Sequence, residues 1–317
     1  MKVTEHIQKA ERPLFTIEIL PPKKGENLES LFGHIESLLE YEPAFIDVTY
    51  HREEFVYKSR PDGSYKKTIT RKRPGTVGIC AAIQTKYNID TVPHLICGGF
   101  SREDTENMLI ELDFLGIHNV LALRGDPIKS EPGFVPHPDG NCYASELVKQ
   151  VSDMNKGIYL DDELEHPTAT NFCIGAAGYP EKHFEAPNFS TDFSYLKKKV
   201  ENGAEFIVTQ MFFNNEVYFD FVKKCREHGI HVPIIPGLKP IATLKHLTLL
   251  PQFFHLDIPE ELAREVSKCK DNKAVKEVGV EWCVKQCKEL IEFGAPVLHF
   301  YTMSRSELVG QVAAQVF

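Results

Sequence analysis

The feature that most constrains the fold is a regular alternation of short β-rich runs with amphipathic helical stretches along the chain. This alternation is typical of a parallel sheet whose strands are connected by crossover helices. The runs with a strand pattern are 14–20, 45–51, 91–97, 119–125, 172–180, 206–213, 233–240 and 297–302. The helical patterns between them include 28–40, 103–115, 144–154, 193–202, 215–228 and 274–292.

Eight strand–helix units predict an α/β fold of the closed (β/α)8 barrel type, the TIM barrel. An open, doubly wound sheet with extra elements is the alternative. A barrel of this kind commonly occupies roughly 250 residues as one domain. The chain has 317 residues, so we expect a single catalytic domain over 1–317, with insertions.

Charge, hydropathy and cysteine usage argue against several functions. The formal net charge is −9, which disfavours a protein that binds nucleic acid or an anionic membrane. The N-terminal residues contain no signal-peptide core, and no apolar run approaches the length of a membrane span. The eight cysteines are scattered without a CxxC pair, which indicates reduced thiols, no metal site and a cytoplasmic protein.

No strand is followed by GxGxxG, and no GxxxxGK[ST] loop is present. A nucleotide cofactor would therefore not be held by a Rossmann turn or a P-loop. In a barrel, the chemistry gathers where strands end and loops begin. Polar residues are concentrated at those positions: Glu18, Asp47, Thr49, Tyr50, His51, His94, Arg124, Asp126, Gln210, His299, Tyr301 and Arg305. Any one of them could be a hydrogen-bonded core residue, but their common location predicts an active site.

Nine sequence blocks, in order, resemble one enzyme family. They are FTIEILPPK (15–23), IDVTY (46–50), PHLIC (93–97), ALRGDP (122–127), YASELV (143–148), AAGYPEKH (176–183), LKKKVENGAEFIVTQMFF (196–213), IIPGLKP (234–240) and HFYTMSR (299–305). Together they resemble methylenetetrahydrofolate reductase, in its bacterial form with the catalytic domain only. The resemblance implies a barrel with non-covalent FAD that reduces 5,10-methylenetetrahydrofolate to 5-methyltetrahydrofolate with NADH or NADPH. It also implies a ping-pong mechanism, with hydride passing through the flavin.

This chemistry requires a general acid. The folate substrate carries its one-carbon unit in a closed imidazolidine ring, and protonation at N10 opens that ring to an iminium ion that can accept hydride. Glu18 lies between Ile17 and Ile19, an apolar setting that can raise a carboxyl pKa. By resemblance it matches the catalytic glutamate of the family. The alternative is a buried structural partner of an Arg or Lys inside the barrel.

The resemblance assigns a second catalytic residue, Asp126, near the flavin and the pterin, although the local sequence also suits a turn residue before Pro127. The implied substrate-binding residues are Glu18, Asp126, Gln210, Leu244 and Arg305. The implied FAD-binding residues are Thr49, His94, Leu123, Arg124, Gly125, Asp126, Tyr143, Ala144, Ala177, Tyr179, His183, Asp192 and Lys199. Among the latter, Arg124, His183 and Lys199 can supply the cations that two phosphates require.

Two departures from the family pattern stand out. Leu244 occupies a position where bacterial members commonly have a phenylalanine that stacks on the folate. The segment 51–90 is also longer than in short bacterial forms and is rich in cations, at Lys58, Arg60, Lys66, Lys67, Arg71, Lys72 and Arg73. These cations could attract the anionic polyglutamate tails of folates, or they could be an ordinary solvated surface.

Two other functions fit a barrel of this type. One is a different flavin-dependent oxidoreductase, related to proline dehydrogenase. The other is a catalytically silent barrel that serves as a binding protein. The pairing of Glu18 with Gln210 favours folate chemistry. The expected partners are folate, a nicotinamide dinucleotide and further copies of the chain in a homo-oligomer.

Overall fold

The computed structural model describes residues 1–52, 54–71, 73–128, 131–303 and 305–317. Its parallel strands all belong to one sheet. They are β1 (Leu14–Ile19), β2 (Phe45–Val48), β5 (Asp90–Ile96), β6 (Asn119–Leu123), β7 (Cys173–Gly178), β8 (Phe206–Thr209), β9 (Ile234–Ile235), β10 (Gly237–Leu238) and β11 (Val297–Tyr301). An antiparallel hairpin, β3 (Glu54–Ser59) and β4 (Tyr65–Arg71), stands apart from this sheet.

The sheet closes into a barrel. Its strand order is β10-β11-β1-β2-β5-β6-β7-β8-β9. The strands β9 and β10 are two halves of one segment interrupted at Pro236, and β9 pairs with β8 whereas β10 pairs with β11. The segment therefore joins the two edges of the sheet. This confirms the (β/α)8 barrel and all eight predicted strands, including the proline-rich one at 233–240.

Helices surround the barrel. They are α1 (Val3–Lys9), α2 (Leu28–Glu36), α3 (Thr76–Tyr87), α4 (Arg102–Phe114), α5 (Ala144–Met154), α6 (Phe189–Glu201), α7 (Asn215–Glu227), α8 (His246–Phe254), α9 (Glu260–Lys268), α10 (Asn272–Phe293) and α11 (Ser306–Val316). Side chains that accept backbone N–H groups mark several helix starts, as at Ser101 before α4 and Asp271 before α10. No helix in the described ranges has both the length and the apolar character needed to cross a membrane.

Because side chains alternate between the two faces of each strand, the core has two parts, one between the strands and the helices and one inside the barrel. In β1, Phe15, Ile17 and Ile19 pack outward in the large cluster between strands and helices, so Thr16 and Glu18 face the barrel interior. The interior itself contains two zones. Its lower zone is an apolar cluster of Val3, Phe45, Val92, Leu121, Cys173, Phe206, Val208, Ile235 and Val297.

Helix α1 closes the lower end of the barrel. Val3 from this helix belongs to the apolar interior cluster, and its backbone N–H donates to Asn119 Oδ1 at 2.8 Å. Asn119 Nδ2 in turn donates to the carbonyl of Met1 at 2.9 Å. His6 Nε2 and Asp90 Oδ2 are 2.7 Å apart. The amino-terminal segment is thereby fixed across the floor, which leaves the carboxyl ends of the strands as the open face.

Candidate active site

Glu18 lies in the barrel interior near the open end. Its register partners on the neighbouring strands are Asp47 on β2 and Tyr301 on β11. His94 on β5 approaches both acids, with its Nε2 atom 3.7 Å from Glu18 Oε2 and 3.4 Å from Asp47 Oδ2. The side chain of Asp47 is fully buried, whereas Glu18 keeps 15% of its side-chain surface exposed toward the mouth. Of the two acids, Glu18 is therefore the one that a substrate can reach.

The electrostatics of this group favour a transferable proton. Burial raises the pKa of Glu18 to about 7, with a further increase from the charge of Asp47, while His94 and Lys239 act in the opposite direction. Burial also raises the pKa of Asp47 to about 6. The same loss of solvation lowers the pKa of His94. Near neutral pH, Glu18 therefore exists in both protonation states, as a general acid requires.

Deeper in the barrel, a second polar layer supports these acids. Thr16 Oγ1 and His299 Nδ1 are 2.9 Å apart. Within the described residues, Asp47 Oδ1, Thr49 Oγ1 and His299 Nε2 are buried and make no hydrogen bond. An unsatisfied buried polar atom costs about 1–3 kcal/mol. Such atoms concentrated near one site indicate a site built to bind a polar group.

The loop after β6 places Arg124 and Asp126 at the rim. Between them Gly125 has φ +85°, a left-handed conformation that suits glycine, and a Cβ there would lie 3.1 Å from Ile96. The Arg124 guanidinium pairs with both carboxylate oxygens of Glu185, at 2.5 and 2.9 Å. Loss of solvation raises the pKa of Asp126, and the charge of Arg124 opposes that rise.

A cationic group lies beside this loop, at the ends of β7 and α6. The partly buried Lys199 ammonium donates to the carbonyl of Ala177 at 2.9 Å, and loss of solvation lowers the pKa of Lys199 to about 8. The backbone N–H of His183 donates to Asp192 Oδ2 at 3.0 Å. Burial and the nearby charge of Arg124 lower the pKa of His183 to about 4. The ring of Tyr179 meets that of His183 edge to face, with 4.6 Å between centroids.

The remaining predicted residues are more dispersed. Gln210 follows β8, and its side-chain oxygen accepts the backbone N–H of Met211 at 2.9 Å. Tyr143 precedes α5 and is 59% exposed, while Ala144 begins that helix and is buried. Leu123 ends β6 and is partly buried beside the apolar interior cluster. Leu244 is 48% exposed in the segment before α8.

A cavity of about 340 Å³ opens between α8 and the residues that follow β11, and Tyr301, the register partner of Glu18, lines it. Its polar wall includes Lys239, Lys245, His246 and Arg305, and its apolar wall includes Leu249, Leu250, Phe253, Phe254, Leu308 and Val309. Gly237 allows the approach of Tyr301, because a Cβ at this glycine would lie 2.5 Å from the tyrosine ring. Leu244 stands between two lining residues, Thr243 and Lys245.

Sequence analysis missed several residues of this site, among them Thr16, Glu185 and Lys239. It identified Asp47, His299 and Tyr301 as strand-end polar residues, although it gave them no role. Lys239 was overlooked, although the signal was the one that identified Glu18: a charged residue within the apolar, proline-bounded run at 233–240.

Comparison with known proteins identifies the family. The sequence model of methylenetetrahydrofolate reductase matches residues 2–316. The chain belongs to this family. Methylenetetrahydrofolate reductase (NADH) 1 of Arabidopsis thaliana is 34% identical over 312 residues, which are 95% of this chain and 47% of the plant protein. The 5,10-methylenetetrahydrofolate reductase of Pectobacterium carotovorum subsp. carotovorum is 29% identical over 294 residues, which are 92% of this chain and 86% of that protein.

The chain spans about half the length of its plant, fungal and nematode relatives in the methylenetetrahydrofolate reductase family. Among solved structures, an uncharacterised protein from Clostridium thermocellum that binds two copies of 5-methyl-5,6,7,8-tetrahydrofolic acid has the same fold, with a TM-score of 0.59. The alignment covers 99% of this chain and 97% of that one at 16% identity. Family and fold both confirm the resemblance seen in the sequence blocks.

Proposed function

We propose that this chain reduces 5,10-methylenetetrahydrofolate to 5-methyltetrahydrofolate, with FAD as cofactor and NADH or NADPH as the source of hydride. Family membership supports the reaction. The observation that carries the proposal is the buried Glu18 carboxyl, whose pKa of about 7 lies near neutral pH at the open end of the barrel. The fold neighbour that binds methyltetrahydrofolate is consistent with a folate site in such a barrel.

In this proposal Glu18 is the general acid. Its proton is transferred to N10 of the folate, the bond between N10 and the one-carbon unit breaks, and the ring opens to an N5 iminium ion. Glu18 is left as a carboxylate, which later recovers a proton from solvent through its exposed side. A carboxyl whose pKa lies close to the working pH performs this exchange efficiently because neither protonation state is strongly favoured.

Asp47 and His94 support this role as positioning residues. The negative charge of Asp47 raises the pKa of Glu18, whereas His94 lowers it. Because the Nε2 atom of His94 lies within 4 Å of both acids, it can interact with whichever of the two carboxyls is charged. We also propose that Asp126 and Gln210 contact the pterin, since a carboxylate and an amide together offer the acceptors and donors that its edge requires. Leu244 and Arg305 would contact the remainder of the folate.

The residues at the rim fit FAD. Thr49 offers a buried hydroxyl without a partner in the described ranges, and Lys199 offers a partly buried ammonium. Arg124 is paired with Glu185, so a phosphate would have to share or replace that carboxylate. The other residues of this proposed site are His94, Leu123, Gly125, Asp126, Tyr143, Ala144, Ala177, Tyr179, His183 and Asp192. When bound, FAD would supply hydride transfer in two steps, from the nicotinamide to the flavin and from the flavin to the one-carbon unit of the folate.

Anaerobic stopped-flow measurements test the proposal. The purified protein should show flavin absorbance that bleaches with NADH or NADPH and returns when 5,10-methylenetetrahydrofolate is added. Reoxidation of the reduced flavin by 5,10-methylenetetrahydrofolate in the absence of nicotinamide would establish the ping-pong order. A protein that does not take up FAD would support a silent barrel. A flavin that L-proline reduces and folate does not reoxidise would support a relative of proline dehydrogenase.

The same proposal includes the organisation of the protein. We propose that residues 1–317 act as one catalytic domain, in a homo-oligomer, in the cytoplasm. Light scattering of the purified chain tests the oligomeric part directly.

A further inference from the structure

Lys239 is a cation in an unusual position. It follows β10 directly, in the segment that closes the barrel, and it lines the 340 Å³ cavity together with Tyr301. Within the described ranges its ammonium makes no hydrogen bond and no ion pair closer than 4.0 Å. Burial lowers the pKa of Lys239 to about 8. A lysine that is poorly solvated and has no direct partner is unfavourable for stability, which suggests a role in function.

Strand register places Lys239 close to Glu18. Leu238 pairs with Phe300, and both pack outward in the cluster between strands and helices. The next residues along their chains, Lys239 and Tyr301, therefore face the interior. Tyr301 is itself the register partner of Glu18. Neighbouring strands are about 4.8 Å apart, so the backbones of Lys239 and Glu18 are separated by roughly 10 Å around the barrel wall.

We propose that Lys239 is a positioning residue for Glu18. The positive charge of Lys239 in the barrel interior makes the Glu18 carboxyl release its proton more readily. The interaction works in both directions, because the charge of Glu18 also acts on Lys239 and raises its pKa against the effect of burial. The proposal assigns a role to the closing segment of the barrel. It rests on the proposed function in one respect only, namely that the Glu18 proton is the one used in the reaction.

The effect of Lys239 on proton release adds to the effects of the other groups that face Glu18. Asp47 on β2 makes proton release harder, and His94 on β5 makes it easier. The hydroxyl of Tyr301 on β11 donates to the carbonyl of Thr209 at 2.6 Å, so it is engaged elsewhere. Lys239 is the cation that offsets Asp47 from the opposite side of Glu18. For two charges at the roughly 10 Å that separates these backbones, a medium of intermediate polarity gives a pKa shift of about 0.5 to 1 unit.

The test measures the Glu18 carboxyl itself. The chain is purified with ¹³C-labelled glutamate, and carboxyl resonances are followed by NMR between pH 5 and 9, with Glu18→Gln used to assign the Glu18 signal. In Lys239→Met we expect the titration midpoint to move up by about 0.5 to 1 pH unit. Lys239→Arg, which keeps the charge, should restore most of the original midpoint. Lys245→Met removes a more exposed lysine from the same cavity and should leave the midpoint unchanged.

A midpoint that does not move in Lys239→Met overturns the proposal. If the KM for folate rises at the same time, Lys239 is a ligand contact instead. Should the Lys239→Met spectrum show loss of fold, Lys239→Gln and Lys239→Arg give the same comparison between a neutral and a charged side chain. The alkaline limb of the folate half-reaction provides the separate test of Glu18 as the acid. If the carboxyl midpoint moves and that limb does not, the Lys239 proposal stands and the proton donor lies elsewhere.

Discussion

The two ends of the barrel interior differ in composition: one is apolar and the other contains ionisable groups. The lower end is filled by apolar side chains such as Phe45 and Phe206, and α1 covers it. The upper end contains Glu18, Asp47 and His94, which are poorly solvated, and within the described residues Asp47 Oδ1 makes no hydrogen bond. The first arrangement lowers the free energy of the folded state. The second raises it, because buried ionisable groups lose hydration. The same strands supply both ends, so the comparison separates residues for stability from residues for chemistry within one wall.

The largest expected effect is on the rate after Glu18→Gln. The variant should bind FAD and be reduced by NADH or NADPH within about tenfold of the normal rate, since that step needs no proton from Glu18. Reoxidation by folate should slow by about 10²–10⁴-fold, the usual contribution of a general acid. Single-turnover stopped-flow kinetics measure both steps.

Glu29→Gln, which removes an exposed acid on α2, serves as the control and should leave both steps unchanged. If folate reoxidises Glu18→Gln at a normal rate, Glu18 is not the acid. If the variant fails to bind FAD, Glu18 is instead a structural charge partner at the mouth.

At the floor we expect a substitution to lower stability and to leave the reaction rate unchanged. Phe206 is fully buried, and its ring lies so close to Gly175 that a Cβ there would clash with it. Phe206→Ala should lower the free energy of unfolding by about 3–5 kcal/mol, because it leaves a cavity in a closely packed layer. Denaturant titration measures this loss, with Phe114→Ala, an 87% exposed position on α4, as the control. The folate half-reaction of the folded fraction should be unchanged. A selective loss of that half-reaction would mean that the two ends are not independent.

Stability should depend on pH through Glu18 at the mouth. The pKa of Glu18 is about 7 in the folded protein and 4.5 in its ordinary setting. Below pH 4.5 the carboxyl is protonated in both the folded and the unfolded chain. Between 4.5 and 7 the unfolded chain releases the proton and the folded chain retains it, so folding becomes progressively less favourable. Above pH 7 the penalty is complete.

Glu18→Gln should therefore be more stable than the natural chain by about 1–3 kcal/mol at pH 8, with little difference at pH 4. Unfolding measured at pH 4, 6 and 8 tests this, and the Phe206→Ala loss should be the same at all three. A Glu18→Gln difference that is constant with pH would show that this carboxyl does not carry the raised pKa.

The contrast between the two ends also explains what the sequence could predict. Barrel strands were identifiable because each is a short buried run bounded by turns, and most are followed by a helical pattern. Glu18 was identifiable because a lone carboxylate in such a run conflicts with burial. The hairpin Glu54–Ser59 and Tyr65–Arg71 was not recognised, since β3 has apolar residues at three successive positions, Phe55, Val56 and Tyr57, and shows no buried alternation. Helix α1 was missed because seven residues give too little periodicity.

The sequence predicted that polar groups from different strands lie at one end of the barrel, but it could not predict which of them pair. Asp47, His94 and Glu18 lie far apart in sequence, and the distances among them follow from the closure and register of the barrel. Lys239 depends on closure even more strongly, since it faces Glu18 only because β10 pairs with β11.

The smallest expected effect lies outside the barrel, on the β3–β4 hairpin. Lys58 pairs in register with Lys66, and Lys67 lies over the ring of Phe55 at 4.1 Å. Lys72 and the side chain of Arg71 fall outside the described part of the chain. The hairpin follows β2, so it begins at the same end of the barrel as Glu18. Exposed cations there should attract an anionic polyglutamate tail over several ångströms, an effect that salt weakens.

Replacing Lys58, Lys66 and Lys67 together by Gln should raise the KM for a polyglutamyl folate by about two- to threefold at low salt. The KM for the monoglutamyl form should not change, and the difference should shrink at 0.5 M salt. The matched control removes three exposed lysines on the outer helices α6 and α10, Lys198, Lys285 and Lys288, and keeps the same change in net charge. If both triple variants alter the KM ratio equally, the effect comes from overall charge and the hairpin has no specific part in it. If neither alters it, the hairpin is an ordinary solvated surface, and the functional half of the molecule ends at the barrel mouth.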